Sequence, residues 1–313
     1  MSKLSEGLKA LINAGHARPG YTKASPAVQP ALARFARDAA DKHVGLPAWV
    51  TVSTAVSATL NCPEAMASIL HLANDSSSSS STAITPRRTP AQNAELIREV
   101  GLKCISFNGI PRTINTLGAF HVSLPSDIAD KLNTTPKRTY TTHNLEARQA
   151  DGRALWDSVY RGFERKLIDK LAQSHPDLPV HILASHYANL LSDPSATATL
   201  SGDEARAAGV VDGARVGRVL TSLVAIACLR AQTGVGPQVV SHVFGLRKAY
   251  DERHAADGCG ARSPGEDEVE GGEWLASDEG NVWLLESVDR LVEAIAGRGG
   301  GGTTFAPGMG SKL

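Results

Sequence analysis

The chain has 313 residues, 42% of them hydrophobic, and its 32 lysines and arginines balance 32 aspartates and glutamates. This length and apolar content exclude a disordered chain and predict one large or two ordinary globular domains. The balanced charge argues against nucleic acid or an anionic membrane as a partner, because phosphates call for a basic surface. The longest apolar run, Leu223 to Leu229, is too short to span a bilayer.

Apolar residues recur at helical intervals along most of the chain. Steps of three and four residues separate them from Trp156 to Leu171, from Leu220 to Ala227 and from Leu284 to Ile295. Alternation with a period of two is nowhere sustained. The sequence therefore predicts an all-α protein.

Three segments interrupt this pattern and are predicted to be loops. They are the serine-rich segment 74–90, the polar segment from Leu132 to Tyr140, and the acidic, glycine-rich segment 256–272. None of the three requires a function of its own.

The order of helices and breaks indicates a weak internal repeat. In each half, two helices are joined by a short break, at Cys62-Pro63 and at Val235-Gly236, and a later helix begins beside a glycine, Gly109 or Gly280. The interval from break to glycine has almost the same length in both halves. We predict a helical extension (1–48), a first repeat (49–145), a second repeat (146–297) and a flexible tail (298–313).

The two ends of the chain carry candidate targeting signals. Ser311-Lys312-Leu313 is the C-terminal tripeptide that the peroxisomal import receptor reads, and a glycine-rich spacer precedes it. We therefore expect a peroxisomal protein. Residues 1–37 are basic, with apolar residues on one helical face, so a mitochondrial transit peptide and a plain surface helix remain alternatives for that segment.

Two stretches carry a family resemblance. In the segment Glu99–Leu117, one predicted helix ends at Phe107 and a Gly-x-Pro turn follows. The next predicted helix begins with Arg112 and Asn115 in its first turns. This segment resembles the closing helix pair of the carboxymuconolactone decarboxylase and alkylhydroperoxidase D superfamily. Leu223–Ala249 resembles the central helix pair, and the likeness covers about two-thirds of the chain. It is nearest to fungal members with the fold duplicated, which implies a duplicated alkylhydroperoxidase D-like helical fold and a homo-oligomer.

The central helix pair departs from the pattern of the redox members. These carry Cys-x-x-Cys-x-x-x-His, and when His242 is taken as the histidine, the two cysteine positions hold Val235 and Gln238. The upstream glutamate of the family is also missing, at Leu223. Peroxide reduction by a dithiol needs a reactive thiolate and a second thiol that resolves the sulfenic acid. A dithiol peroxidase at His242 is therefore argued against.

The first half retains one sulfur at the corresponding position. Cys62 occupies the place of the nucleophilic cysteine, but Ala65 replaces its partner and Ile69 replaces the histidine. We interpret Cys62 as a structural thiol, with residual single-cysteine antioxidant chemistry as an alternative.

The remaining candidates suit chemistry without a thiol. The decarboxylase branch implies acid–base catalysis on a small carboxylate or lactone, without metal or organic cofactor. His242 is the candidate acid or base, because imidazole titrates near neutral pH. Arg112 and Asn115, one helical turn apart, are candidates for binding the substrate carboxylate, as is Gln238, one turn before His242. Each of these residues also has a purely structural interpretation.

Two hypotheses from different classes follow. The first is an enzyme resembling carboxymuconolactone decarboxylase, a lyase, in which His242 transfers protons and Arg112 anchors an anion. The second is a non-catalytic binding or assembly protein that kept the fold. His186 and Tyr187, on an apolar helix from Ile182 to Leu191, are expected to pack in the core or to line a pocket.

Overall fold

The computed structural model describes residues 3–79, 88–194, 215–251 and 269–297. Every regular element within these ranges is helical, which confirms the prediction of an all-α protein. None of the described helices is both long enough and apolar enough to cross a membrane. The targeting tripeptide 311–313 and most of the acidic segment 256–272 lie outside the described residues, so both predictions stay predictions.

Within the described ranges, a 3₁₀ turn at Gly15–Ala17 follows the first helix and a long polar segment precedes α9. In chain order the helices are α1 (Glu6–Ile12), α2 (Val28–Asp41), α3 (Leu46–Thr59), α4 (Pro63–Ser79), α5 (Pro90–Lys103), α6 (Ile105–Asn108), α7 (Ile110–Val122), α8 (Ser126–Ala129), α9 (Leu145–Tyr160), α10 (Glu164–Ser174), α11 (Asp177–His181), the π-helix α12 (Ile182–Leu191), α13 (Gly217–Gln232), α14 (Gly236–Lys248), α15 (Gly272–Ala276) and α16 (Asp278–Ala296).

Local sequence explains where several of these helices begin. Helix α5 starts with a capping box, in which the Thr89 hydroxyl accepts from the Gln92 N–H and the Gln92 side chain accepts from the Thr89 N–H. Ser277 caps α16 in a similar way, by accepting from the Gly280 N–H at 3.0 Å. Helices α3, α5, α7 and α14 each carry proline in the first turn, where no N–H is needed.

The serine-rich segment differs from its prediction. Helix α4 continues through Ser79, so residues 74–79 are helical and not part of a loop. The Ser76 hydroxyl donates to the Leu72 carbonyl at 2.8 Å. A serine that bonds back into the preceding turn satisfies its hydroxyl without leaving the helix, which explains why the composition alone misled. Residues 80–87 lie outside the described residues.

Helices α3 and α13 pack against each other at the centre of the molecule. Both are buried almost all round, because apolar residues and small hydroxyl residues cover most of their faces, and Ser53 and Ser57 donate back to carbonyls of the preceding turn. Helices α4 and α5 cover α3, and α14 and α16 cover α13. Helix α2, from the predicted N-terminal extension, joins the same core, where Phe35 stacks on Trp283 with ring centroids 5.3 Å apart. Both predicted repeats thus share one core.

A second, smaller apolar cluster is formed by α9, α10 and α12 around Trp156, Tyr187 and Leu191. Helix α9 lies very close to α12, because a Cβ added at Gly152 would be 2.3 Å from the Ala188 Cα. Helix α12 is π-helical, and beyond its end the Ser192 N–H donates to the Tyr187 carbonyl five residues earlier, at 3.0 Å. Short π-helical stretches are common at functional sites. Helix α9 also packs on α14 and so joins this cluster to the central core.

Candidate active site

A small cavity lies where α9, α12, α13 and α14 meet. It has room for about one water molecule. The residues around it are mainly apolar, with three hydroxyl groups and one imidazole. They are Phe107, Leu155, Val159, Tyr187, Leu191, Thr221, Ser222, Ala225 and His242.

His242 lies on the inward face of α14 and is only 7% exposed. Its Nε2 is 3.4 Å from the hydroxyl of Tyr160, and the ring of Phe107 meets the imidazole edge-on. Its Nδ1 is buried and has no hydrogen-bond partner within the described part of the chain. The Thr221 hydroxyl, on the same cavity, is likewise buried and unpartnered there. Two residues with an orphaned polar atom therefore line one water-sized space.

The burial of His242 decides its charge. Loss of hydration, with a smaller contribution from the positive charge of Arg218, lowers the pKa of the imidazole to about 4. At neutral pH His242 is therefore uncharged. One ring nitrogen then accepts and the other donates, according to the tautomer.

Two tyrosines extend the polar contacts of His242 away from α14. The Tyr187 hydroxyl on α12 donates to the Tyr160 hydroxyl at the end of α9, at 3.2 Å. Trp156 packs on both tyrosine rings. Burial raises the pKa of Tyr160, and burial raises the pKa of Tyr187 well above its ordinary value. Both phenols therefore stay protonated, and a chain of hydroxyl groups leads to the His242 Nε2.

Arg218, in the first turn of α13, is the cation whose positive charge lowers the pKa of His242. Its Nε donates to the Ser158 hydroxyl at 2.8 Å, and Nη2 donates to the Gly245 carbonyl at 2.7 Å. Nη1 donates to the Ser222 hydroxyl, which borders the cavity. These bonds hold the guanidinium in place between α9, α13 and α14.

The other residues proposed for substrate binding lie elsewhere. Arg112 is half-buried on α7 and donates to the Thr59 carbonyl. Asn115 on the same helix is exposed, and so is Gln238 on α14. None of the three borders the cavity. Of the residues proposed for catalysis or substrate binding, the structure places only His242 there.

Cys62 lies fully buried just before α4. Burial raises the pKa of its thiol to about 11, so the reactive thiolate is scarce at neutral pH. This environment suits a structural thiol better than a peroxide-reducing one.

His186 and Tyr187 point to different surroundings. Tyr187 borders the cavity, whereas the His186 Nδ1 lies 3.0 Å from the Ser106 hydroxyl. Burial lowers the pKa of His186, and the neighbouring His181 lowers it further.

Sequence reasoning missed Tyr160, Arg218, Thr221 and Ser222. The sequence did carry one indication of Arg218 and Ser222, because they lie four residues apart, on one face, at the start of a largely apolar helix. A charged residue beside a fully buried helix needs polar partners, so this pair marks a polar contact inside the molecule. Nothing in the sequence indicated Tyr160.

Among the described residues, no group of three or more His, Cys, Asp or Glu side chains is placed to hold a metal ion. No family model, curated protein or solved structure matches the chain. The function is therefore inferred from the site itself.

Proposed function

We propose that the protein is an enzyme that transfers protons on a small carboxylate or lactone, with His242 as its acid–base group. One observation carries this proposal. His242 lines the cavity with a buried, uncharged imidazole, whose Nδ1 has no partner among the described residues and whose Nε2 faces the Tyr160 hydroxyl. A group that is available to a reactant on one side and backed by a proton donor on the other suits general acid–base catalysis.

A carboxylate substrate would also improve the basicity of this imidazole. Burial and Arg218 both disfavour the charged form of His242. A negative charge that enters the cavity would favour the imidazolium and raise the pKa toward neutrality. Arg218, held by Ser158 and Gly245, would meanwhile stabilise negative charge that develops beside a carbonyl. The site therefore favours an anionic substrate over a neutral one.

The size of the cavity sets a condition on this chemistry. A space for about one water molecule does not admit a carboxylate or a lactone without movement. The walls belong to two layers, the α9–α12 cluster and the central α13–α14 pair. We infer that separation of these layers admits the substrate.

The duplicated alkylhydroperoxidase D-like fold is part of the same proposal. Its support is the likeness of the two central hairpins, α3–α4 and α13–α14, in each of which a buried helix is followed after a short break by a helix with proline near its start. None of the three described cysteines borders the cavity at His242, which favours acid–base over thiol chemistry there.

The test compares two histidine variants with the same substitution. Purified protein is screened against small carboxylates and lactones, and His242→Gln is compared with His186→Gln. We expect kcat/KM to fall about a hundredfold or more for His242→Gln, the usual contribution of a general acid or base. His186 lies outside the cavity lining, so His186→Gln should stay within a few-fold of the parent protein. An activity that survives His242→Gln undiminished would contradict the proposal.

A non-catalytic binding or assembly role is the second candidate, and the small size of the cavity favours it. The two candidates differ in whether a carboxylate that reaches His242 is converted. Under the catalytic proposal, small carboxylates shift the imidazole nitrogen signals of His242 in an NMR titration toward the protonated form and are turned over. Under the second candidate, those signals stay unchanged, or shift without turnover, and His242→Gln affects binding or stability only.

A further inference from the structure

Two cysteines from distant parts of the chain meet in the central core. Cys104 follows the last residue of α5, and Cys228 lies in the second half of α13, 124 residues later. Their sulfur atoms are 3.5 Å apart, and both side chains are fully buried. The third described cysteine, Cys62, is also a free thiol and is buried to the same degree.

The polar surroundings of the pair are sparse. The Cys228 thiol lies 3.8 Å from the Ala55 carbonyl, and the Asn108 amide donates toward its sulfur at 3.7 Å. Asn108 is in turn held by the Thr59 hydroxyl at 3.2 Å. These contacts keep Cys228 turned toward Cys104. A disulfide bond is about 2.05 Å long, so the two sulfurs need to approach by about 1.5 Å.

We propose that Cys104 and Cys228 are a redox modification site, at which a hydroperoxide oxidises the two thiols to an intramolecular disulfide that joins α5 to α13. One sulfur, as thiolate, attacks a peroxide oxygen, and the O–O bond breaks to give a sulfenic acid and hydroxide. The second thiol attacks the sulfenic sulfur, the S–O bond breaks, and the S–S bond forms. The two thiols lose two electrons and two protons, and hydrogen peroxide becomes two molecules of water.

The burial of Cys104 and Cys228 determines how fast the two thiols are oxidised. The hydrogen bond with Cys228 raises the pKa of Cys104 well above its ordinary value, and burial adds to this. Protonated, buried thiols react slowly, so oxidation follows local opening of the core and takes minutes to hours. The site therefore forms its disulfide slowly and does not turn over peroxide as a peroxidase would. It is independent of the proposed function, because neither cysteine borders the cavity at His242.

The experiment uses the full chain with Cys259→Ser, since Cys259 lies outside the described residues. The protein is incubated with hydrogen peroxide under native conditions, then denatured, alkylated and digested with trypsin. Cleavage after Lys103, Arg112, Arg218 and Arg230 leaves each partner cysteine in a short peptide of its own. We expect the peptides 104–112 and 219–230 to be recovered as one disulfide-linked species. Cys62 is the matched control, and we expect its peptide to remain fully alkylated.

A second measurement needs no further variant. Dithiothreitol should return the linked peptides to the alkylated form, and the oxidised protein should melt several degrees above the reduced protein, because the bond closes a long loop. The proposal is overturned if Cys104 and Cys228 are recovered as alkylated thiols after prolonged exposure. It is equally overturned if they are oxidised separately, or if either is linked to Cys62.

Discussion

Gly152 offers a sharp test of how closely α9 packs on the π-helix α12. A Cβ at this position would lie 2.3 Å from the Cα and 2.4 Å from the backbone nitrogen of Ala188. Carbon atoms in contact prefer about 3.5–4.0 Å, so Gly152→Ala forces the two helices apart by more than an ångström. Overpacking of a core costs about 1–3 kcal/mol, while alanine gains about 0.5–1 kcal/mol over glycine in a helix. Because the obstacle is backbone, we expect a net loss of about 2 kcal/mol.

Gly118 on α7 provides the matched control. It is exposed, and a Cβ there would meet nothing within 4 Å, so Gly118→Ala should gain about 0.5–1 kcal/mol. Thermal unfolding followed by circular dichroism reports both variants. At about 2–4 °C per kcal/mol, Gly152→Ala should melt about 5 °C below the parent protein and Gly118→Ala about 2 °C above it. A Gly152→Ala protein as stable as the parent would refute the close approach of α9 and α12.

Three further predictions concern buried polar groups. Because the pKa of folded His242 is about 4 and that of an unfolded histidine about 6.5, the unfolded chain binds the proton first as pH falls. The free energy of unfolding should therefore fall by about 3 kcal/mol from pH 6.5 to pH 4. Urea titrations across this range should show a smaller fall for His242→Gln. Lys103 is fully buried and its Nζ lies 2.7 Å from a carboxylate oxygen of Asp193. Lys103→Met alone should lower the free energy of unfolding, measured in urea, by about 3–5 kcal/mol, because it leaves the Asp193 charge without its partner. The double variant Lys103→Met/Asp193→Leu should lose clearly less. Tyr187→Phe removes the hydrogen bond to Tyr160 and should cost about 1 kcal/mol in the same assay, whereas a loss near zero would show that this bond contributes nothing.

Much of the helical content could be predicted from the sequence because helix signals are local. The periodicity from Leu220 to Ala227 falls within α13, and the predicted break at Val235-Gly236 comes shortly after its end. Proline and glycine marked the breaks before α7 and α14 correctly. The serine run misled because its composition is typical of loops, while its hydroxyls can bond within a helix.

The candidate site was accessible from the sequence only in part. His242 could be singled out as a residue, but its burial, its lowered pKa and its contact with Tyr160 depend on how α9 and α14 pack. Tyr160 precedes His242 by 82 residues, and Cys104 precedes Cys228 by 124. Residue type and periodicity carry the information for a helix and its apolar face. Which distant side chains meet, and whether they lose their water, is decided only when the helices pack, since burial and charge at a point depend on every element around it.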